Sequence, residues 1–216
     1  MENLYLVGSS GCEVYLIDTE SQDGLVLIDC GMSLQNIKNI SNEGLDPKEI
    51  KHCIITHCHI DHIGACNNIK KFNPKIKFYA HQLDAPPIEK KGKDEKTAAS
   101  WYGVDYKPIK LDNIFKNEIE ILKFGSYNFQ IIHTPGHTPG SISILVKIKS
   151  KKVLFGQDIH GPFYSSFGSN LKDYQKSMQK LIDLEPDILC EGHFGIIQPK
   201  EAVKMYITNY MNQNKP

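Results

Sequence analysis

Thr56-His57-Cys58-His59-Ile60-Asp61-His62 places four metal-ligating side chains, those of residues 57, 59, 61 and 62, within six consecutive positions. The residues just before it, Cys53-Ile54-Ile55-Thr56, form an apolar, β-branched run that predicts a buried strand. In extended chain, residues two apart point the same way, so His57 and His59 can face one cation while Cys58 turns aside as a packed thiol. Asp61 and His62 follow once the chain has begun to bend, and their approach from another side suits a second cation. Imidazole and carboxylate without thiolate suit zinc first, with iron or manganese as alternatives. The competing reading, a polar loop whose histidines face water, would serve for one histidine but not for this density of ligands.

Working outward, Asn3 to Val7, Glu13 to Asp18 and Leu25 to Ile28 are short apolar runs separated by Gly- and Ser-rich turns, which predicts an antiparallel meander. Asp29, before the turn at Gly31, is either a turn-capping carboxylate or a group that orients a metal-bound histidine. Ser33 to Asn42 predicts a helix capped by Ser33, and Asp46-Pro47 opens another short one. Ile63 to Phe72 predicts a helix with Ile63, Cys66, Ile69 and Phe72 inward, brought close to the ligand loop by Gly64. Further strands are expected at 77–80, 118–122, 128–132, 141–148, 152–155 and 187–190, with helices at 170–184 and 199–211. Residues 82–107, with the charge run 89–96 and the aromatics Trp101, Tyr102 and Tyr106, read as a solvated insertion or a lid. One domain over 1–216 is expected.

Bulk properties narrow the function classes. Lys plus Arg equals Asp plus Glu at 25 each, so no global field draws the chain to nucleic acid or an anionic membrane. The six cysteines form no C-x-x-C pair, which predicts reduced thiols and a cytoplasmic setting. No secretory leader or apolar stretch of about 20 residues stands out, so a soluble, unanchored protein is expected. The expected partner is a small-molecule substrate, and a homo-oligomer is left open.

The spacing of four residues organises the rest: His57, His137, Asp158 and His193 each lie just past an apolar strand, and strand ends at one edge can converge. Such convergence would give His57, His59 and His137 to one divalent cation and Asp61, His62 and His193 to another, with Asp158 bridging. Two cations about 3.5–4 Å apart would share a water and bring its pKa to roughly 7, furnishing hydroxide. Asp61 would orient that hydroxide and accept or return a proton.

Thr56 to His62 with Gly64, Thr134 to Gly140, Gly156-Gln157-Asp158 and Gly192-His193 together resemble the metallo-β-lactamase superfamily, in the family's order along nearly the whole chain. The resemblance implies an α/β (α+β) protein, an αββα sandwich of two mixed β-sheets with helices on the outer faces and a binuclear site at the sheet edge. It also implies a metal-dependent hydrolase. The full ligand set differs from that of the flavin-associated diiron reductases, which carry Glu where His59 stands, and Asp158 differs from the true β-lactamases. The compact chain is similar to glyoxalase II-like hydroxyacyl-thioester hydrolases, without clear counterparts of their glutathione-binding basic residues. Hydrolysis of a thioester, ester or lactone is therefore the expectation. A phosphodiesterase or endoribonuclease, an iron-dependent persulfide dioxygenase and a non-catalytic binding module are the rivals. Of the remaining histidines, His52 and His133 read as structural, while His81 and His160 are candidates for substrate or ligand-orienting contacts.

Overall fold

Alternation of apolar side chains along short strands builds two faces on each sheet, and this chain covers all four. The computed structural model describes residues 2–8, 11–90 and 95–216. The first sheet comprises β1 (Leu4–Leu6), β2 (Tyr15–Asp18), β3 (Leu25–Ile28), β4 (Ile50–Ile54), β5 (Lys77–His81) and β6 (Asn113–Phe115), in that spatial order. β1 to β3 form the expected antiparallel meander, whereas β3 to β6 run parallel. The second sheet holds β7 (Ile119–Phe124), β8 (Tyr127–His133), β9 (Ile142–Ile148), β10 (Lys151–Phe155), β11 (Ile188–Glu191) and β12 (Gly195–Ile197), and is antiparallel except where β10 meets β11.

Tyr15, Ile17, Val26, Ile28 and Ile54 from the first sheet meet Phe129, Ile131, Ile144, Val146 and Phe155 from the second in the central core. Their sequence neighbours Leu16, Leu27, Cys53 and Phe78 point the other way, under α1 (Gln35–Asn42), α2 (Ile60–Ile63), α3 (Cys66–Phe72) and α4 (Ala85–Glu89). Leu154 and Leu189 likewise pack beneath α5 (Leu171–Asp183) and α6 (Lys200–Gln213). Two mixed sheets with helices outside make the αββα sandwich, as expected, because period-two burial on both faces leaves no other arrangement of layers.

Several local expectations shift. The strand placed at 53–56 ends at Ile54, because the Thr56 N–H donates to Asp29 Oδ1 (2.7 Å) instead of to a neighbouring strand. The helix expected over 63–72 is two pieces: the Ala65 N–H donates to Gly31 O (2.8 Å), breaking the helical ladder, and Phe72 faces solvent. Gly64 is needed there, since a Cβ would lie 2.7 Å from Ile60 O and 3.3 Å from Met32 Cα. Ser33 accepts from Gln35 N (3.3 Å), but Leu34 occupies the cap of α1. The capping by Asp46 and the start of α5 after Asn170 follow the sequence reading. β6 and β12, three residues each, carry too short a pattern to be read. Within the charge run, residues 91–94 lie outside the described residues.

His52 sits in the middle of β4. Its ring stacks on Phe124 at 3.8 Å and its Nδ1 lies 2.8 Å from the Tyr79 hydroxyl. Burial pushes this imidazole down to about 4 from an ordinary 6.5, with Lys77 adding to the effect. The unfolded chain therefore takes up this proton first as pH falls, so the stability His52 contributes is complete above about 6.5 and lost as pH drops through about 4. In urea unfolding of metal-free protein, His52→Gln is expected to lose stability less steeply than wild type over that window; parallel curves would refute the assignment.

Candidate metal centre

The parallel β3, β4 and β5 release their loops at one edge, and the ends of β8, β10 and β11 in the facing sheet deliver theirs to the same place. His57 and His59 leave the end of β4, and His59 caps α2, whose first turn carries Asp61 and His62. His137 lies in the turn between β8 and β9, Asp158 after β10 and His193 after β11. The ligand atoms of His57, His59, His137 and Asp158 fall within 4.8 Å of one another, as do those of Asp61, His62 and His193. These are the two groupings expected from the spacing.

Asp158 stands between them with one oxygen toward each. Its Oδ2 lies 3.3 Å from His137 Nε2 and 3.6 Å from His57 Nε2, while Oδ1 lies 3.2 Å from His62 Nε2 and 3.3 Å from His193 Nε2. Asp61 Oδ2 is 3.4 Å from His193 Nε2 and 3.7 Å from His62 Nε2. Among the described residues, the buried Nε2 atoms of His57, His59 and His62 and Oδ1 of Asp158 make no hydrogen bond. Buried polar atoms are rarely left unpaired, and lone pairs converging from several imidazoles and a carboxylate fit divalent cations. Burial holds His57 and His59 well below the ordinary imidazole pKa, which keeps them in the neutral, ligating form. For Asp158 burial acts upward but is outweighed by His62, His57, His137 and His193, so the group stays ionised.

A second layer of bonds aims these rings. The Asp29 carboxylate accepts from Thr56 N and Thr56 Oγ1 (both 2.7 Å), meets His62 Nδ1 at 2.8 Å and accepts from Gln157 Nε2. Asp29 thus both fastens the turn at Thr56 and contacts the His62 ring. His137 Nδ1 donates to Pro162 O at 2.9 Å, so the lone pair is on its Nε2, which lies 2.9 Å from His59 Nδ1. Asp84, fully buried at the start of α4, ties the two ligand loops together. It accepts from Cys58 N (2.9 Å), Thr138 Oγ1 (2.7 Å) and Gly140 N (2.8 Å). A Cβ at Gly140 would stand 2.4 Å from Asp84 Oδ1, so this approach requires glycine. Glu191, also fully buried, accepts from His193 N (2.7 Å) and Phe194 N (3.1 Å).

Of the supplementary candidates, His160 reaches the centre and His81 does not. His81 is buried at the end of β5, stacked on His133 at 3.9 Å, and belongs to none of the metal-capable groups among the described residues. The stack turns it toward β8, where His133 Nε2 is bonded to Pro139 O (2.9 Å) in a structural role. Cys58 is a packed thiol, as expected, and all six cysteines are buried and outside any disulfide. Asp84, Gln157 and Glu191 were not singled out from sequence. Gln157 and Glu191 adjoin the ligand motifs, but Asp84 carries no local signal. A cavity of about 190 Å³ opens onto the centre, walled by Trp101, Tyr102, Pro162 and Phe167 opposite His59, Asp61, Asp158, His160 and His193.

The model of the metallo-beta-lactamase superfamily matches residues 7–193, and the chain belongs to that superfamily. It is similar to the probable metallo-hydrolase YflN of Bacillus subtilis (strain 168), with 30% identity over 93% of this chain and 86% of the relative. Hydroxyacylglutathione hydrolase GloC of Haemophilus influenzae is 34% identical over 67% of this chain and 68% of its own length. Among solved structures, metallo-beta-lactamase GOB-18 from Elizabethkingia meningoseptica superposes with a TM-score of 0.78 at 26% identity, covering 98% of this chain and 86% of that one. The class defined by family and site together is a metal-dependent hydrolase. No helix among the described residues is long and apolar enough to cross a membrane.

Replacing Asp29 by alanine strands several buried donors at once. Asp29→Ala is expected to destabilise the protein by about 1–3 kcal/mol in denaturant unfolding, and to weaken cation uptake by roughly 10–100-fold. Wild-type cation affinity in the variant would show that Asp29 does not aim His62.

Proposed function

We propose that this chain hydrolyses a small, uncharged acyl compound, a thioester, ester or lactone, with two divalent cations, zinc in first place, held by the seven residues above. His57, His59 and His137 would hold one cation, Asp61, His62 and His193 the other, and Asp158 would bridge through its two oxygens. When bound, such a pair supplies Lewis acidity and a shared water whose pKa falls to roughly 7. The observation that carries this reading is the orientation of Asp158, one oxygen per group of ligands.

The chain's own groups divide the remaining work. Asp61 Oδ2, facing His193 and the cavity, would orient the attacking oxygen and hold its proton until the leaving thiolate or alkoxide takes it. The net change is acyl–X plus water to carboxylic acid and H–X. Partial burial, with the Asp61 carboxylate's charge adding to it, pushes the Tyr102 phenol up to about 12, so it stays neutral. Trp101 packs against Tyr164 (5.0 Å) and Phe167 (4.9 Å), forming an apolar wall that would seat the acyl chain and keep bulk water out.

Substrate charge separates this reading from its rivals. Among the described residues no lysine lines the cavity, and the chain contains no arginine. Bidentate recognition of a phosphate or carboxylate is therefore absent, which counts against a phosphodiester substrate and against recognition of the glutathione carboxylates by arginine. The completeness of the second ligand group gives a one-iron dioxygenase no support. The similarity to GloC supports the acyl-thioester class.

The test is a hydrolysis screen of metal-loaded protein against short-chain acyl thioesters, lactones and bis(p-nitrophenyl) phosphate, with His59→Ala as the blank. Turnover of a thioester or lactone at a rate at least about 100-fold above the blank is expected; equal rates for every compound would end the hydrolase reading, and turnover of the phosphate alone would transfer it to the rival. On the substrate so found, Trp101→Ala is expected to raise KM about 10-fold with kcat little changed, because the wall contacts ground and transition state alike. A fall in kcat at constant KM would contradict that role.

A further inference from the structure

Two residues beyond the bridging aspartate, the chain presents another imidazole. Ile159 packs under α5 and α6, while Asp158 and His160 on either side of it both line the cavity at the centre. The ligand atoms of Asp158, His160 and His193 fall within 4.8 Å of one another. His193 thus belongs both to this group and to that of Asp61 and His62, and Asp158 Oδ1 lies 3.2 Å from His62 Nε2 and 3.3 Å from His193 Nε2.

The support behind His160 is that of a ligand. Its Nδ1 lies 2.8 Å from Glu191 Oε1, and Glu191 is fully buried. The other oxygen of Glu191 already accepts two backbone N–H groups, from His193 and Phe194, so the carboxylate is held as an acceptor. The proton of that contact therefore sits on His160 Nδ1, and the lone pair is on Nε2. Among the described residues Nε2 makes no hydrogen bond. Phe194 at 5.1 Å and His193 at 4.9 Å, both edge-on, restrict the ring's rotation. A carboxylate bonded to one ring nitrogen of an imidazole that itself belongs to a group of metal-capable side chains is the arrangement that orients histidine ligands generally.

We propose that His160 is an additional protein ligand of the second cation, joining Asp61, His62, Asp158 and His193, with Glu191 as its positioning residue. The inference rests on the two-cation reading of the centre but not on any substrate. Its sequence mark is the spacing of Asp158 and His160 within Gly156-Gln157-Asp158-Ile159-His160. A further donor raises the coordination number at that position, making it more demanding than a four-coordinate zinc site and more hospitable to cations that accept five or six ligands.

Titration of the metal-free protein with cobalt(II), followed by calorimetry and by its visible d–d absorption, reads ligand number without any activity. Two side-chain replacements separate the roles. His160→Asn keeps an N–H where Nδ1 stands, and so retains the bond to Glu191 while deleting Nε2; His160→Ala removes both. If His160 is a ligand, both variants bind the first equivalent as wild type does and the second about 10–100-fold more weakly. Their d–d bands also intensify as the coordination number falls. If His160 is only a brace for Glu191, His160→Asn binds both equivalents normally with an unchanged spectrum, and the proposal is overturned. A wild-type protein that takes up a single equivalent overturns it equally. Thermal unfolding of the metal-free variants reports any folding defect, and His160→Asn, which preserves the buried hydrogen bond, remains decisive if His160→Ala does not fold. Because no substrate enters, a failure of the hydrolysis screen and a failure here are independent results.

Discussion

The candidate centre depends on a carboxylate held largely out of solvent. Asp158 is buried against four imidazoles, and a buried charge persists only where partners compensate its lost solvation. Those partners come from both sheets: His57 and His62 from the loop after β4, His137 from the β8–β9 turn, and His193 from the end of β11. The electrostatic demand of one side chain thus requires the two strand edges to stay in register, and the αββα core supplies the rigid layers that hold them there. Gly192 shows how closely they are held, since a Cβ at that position would lie 2.6 Å from Asp158 Oδ1.

The same logic operates one layer out. Asp29, Asp84 and Glu191 are buried carboxylates, and each accepts from backbone N–H groups of ligand-bearing loops. Irregular backbone at the convergence of several loops would otherwise leave those N–H groups unpaired, at about 1–3 kcal/mol each. Satisfying them with carboxylates rather than waters gives the loops a fixed geometry and adds negative charge behind the imidazoles, which favours cation binding in front. Asp84 is the clearest instance, because it joins the His57–His59 loop to the His137 loop without touching a ligand ring.

What the sequence made legible follows from how local each signal is. The period-two runs that became β2, β3, β8 and β9, and the ligand clusters beside them, could be read because strand alternation and short-range motifs are written within a few residues. Boundaries moved where a tertiary bond intervened: Asp29 capturing Thr56 N–H shortened β4, and Gly31 capturing Ala65 N–H split the helix after the ligand loop. His81, a candidate substrate or orienting contact, stands at a strand end like the residues of the candidate centre. Only the facing sheet, which brings His133 over its ring, decides that it stacks away from the centre. Asp84 was illegible for the same reason, since its partners lie 26, 54 and 56 residues away.

Trp101 and Tyr102 line the cavity together with His59, Asp61, Asp158, His160 and His193. The segment after α4 is fastened by Tyr106, buried with its hydroxyl donating to Ile88 O at 2.8 Å, and by Ala98 and Ala99 in the core. That fastening leaves Trp101 and Tyr102 exposed over the cavity, at 57% and 46%. Two large aromatic side chains kept in solvent forgo burial worth about 1.5–3 kcal/mol for a full-sized apolar group, a cost that packing elsewhere could have avoided. A segment so anchored at its base and so apolar at its tip is organised to meet something at the mouth of the cavity. On the proposed reading, the residues around Asp158 would determine what bond is attacked, and Trp101 and Tyr102 which molecules present it.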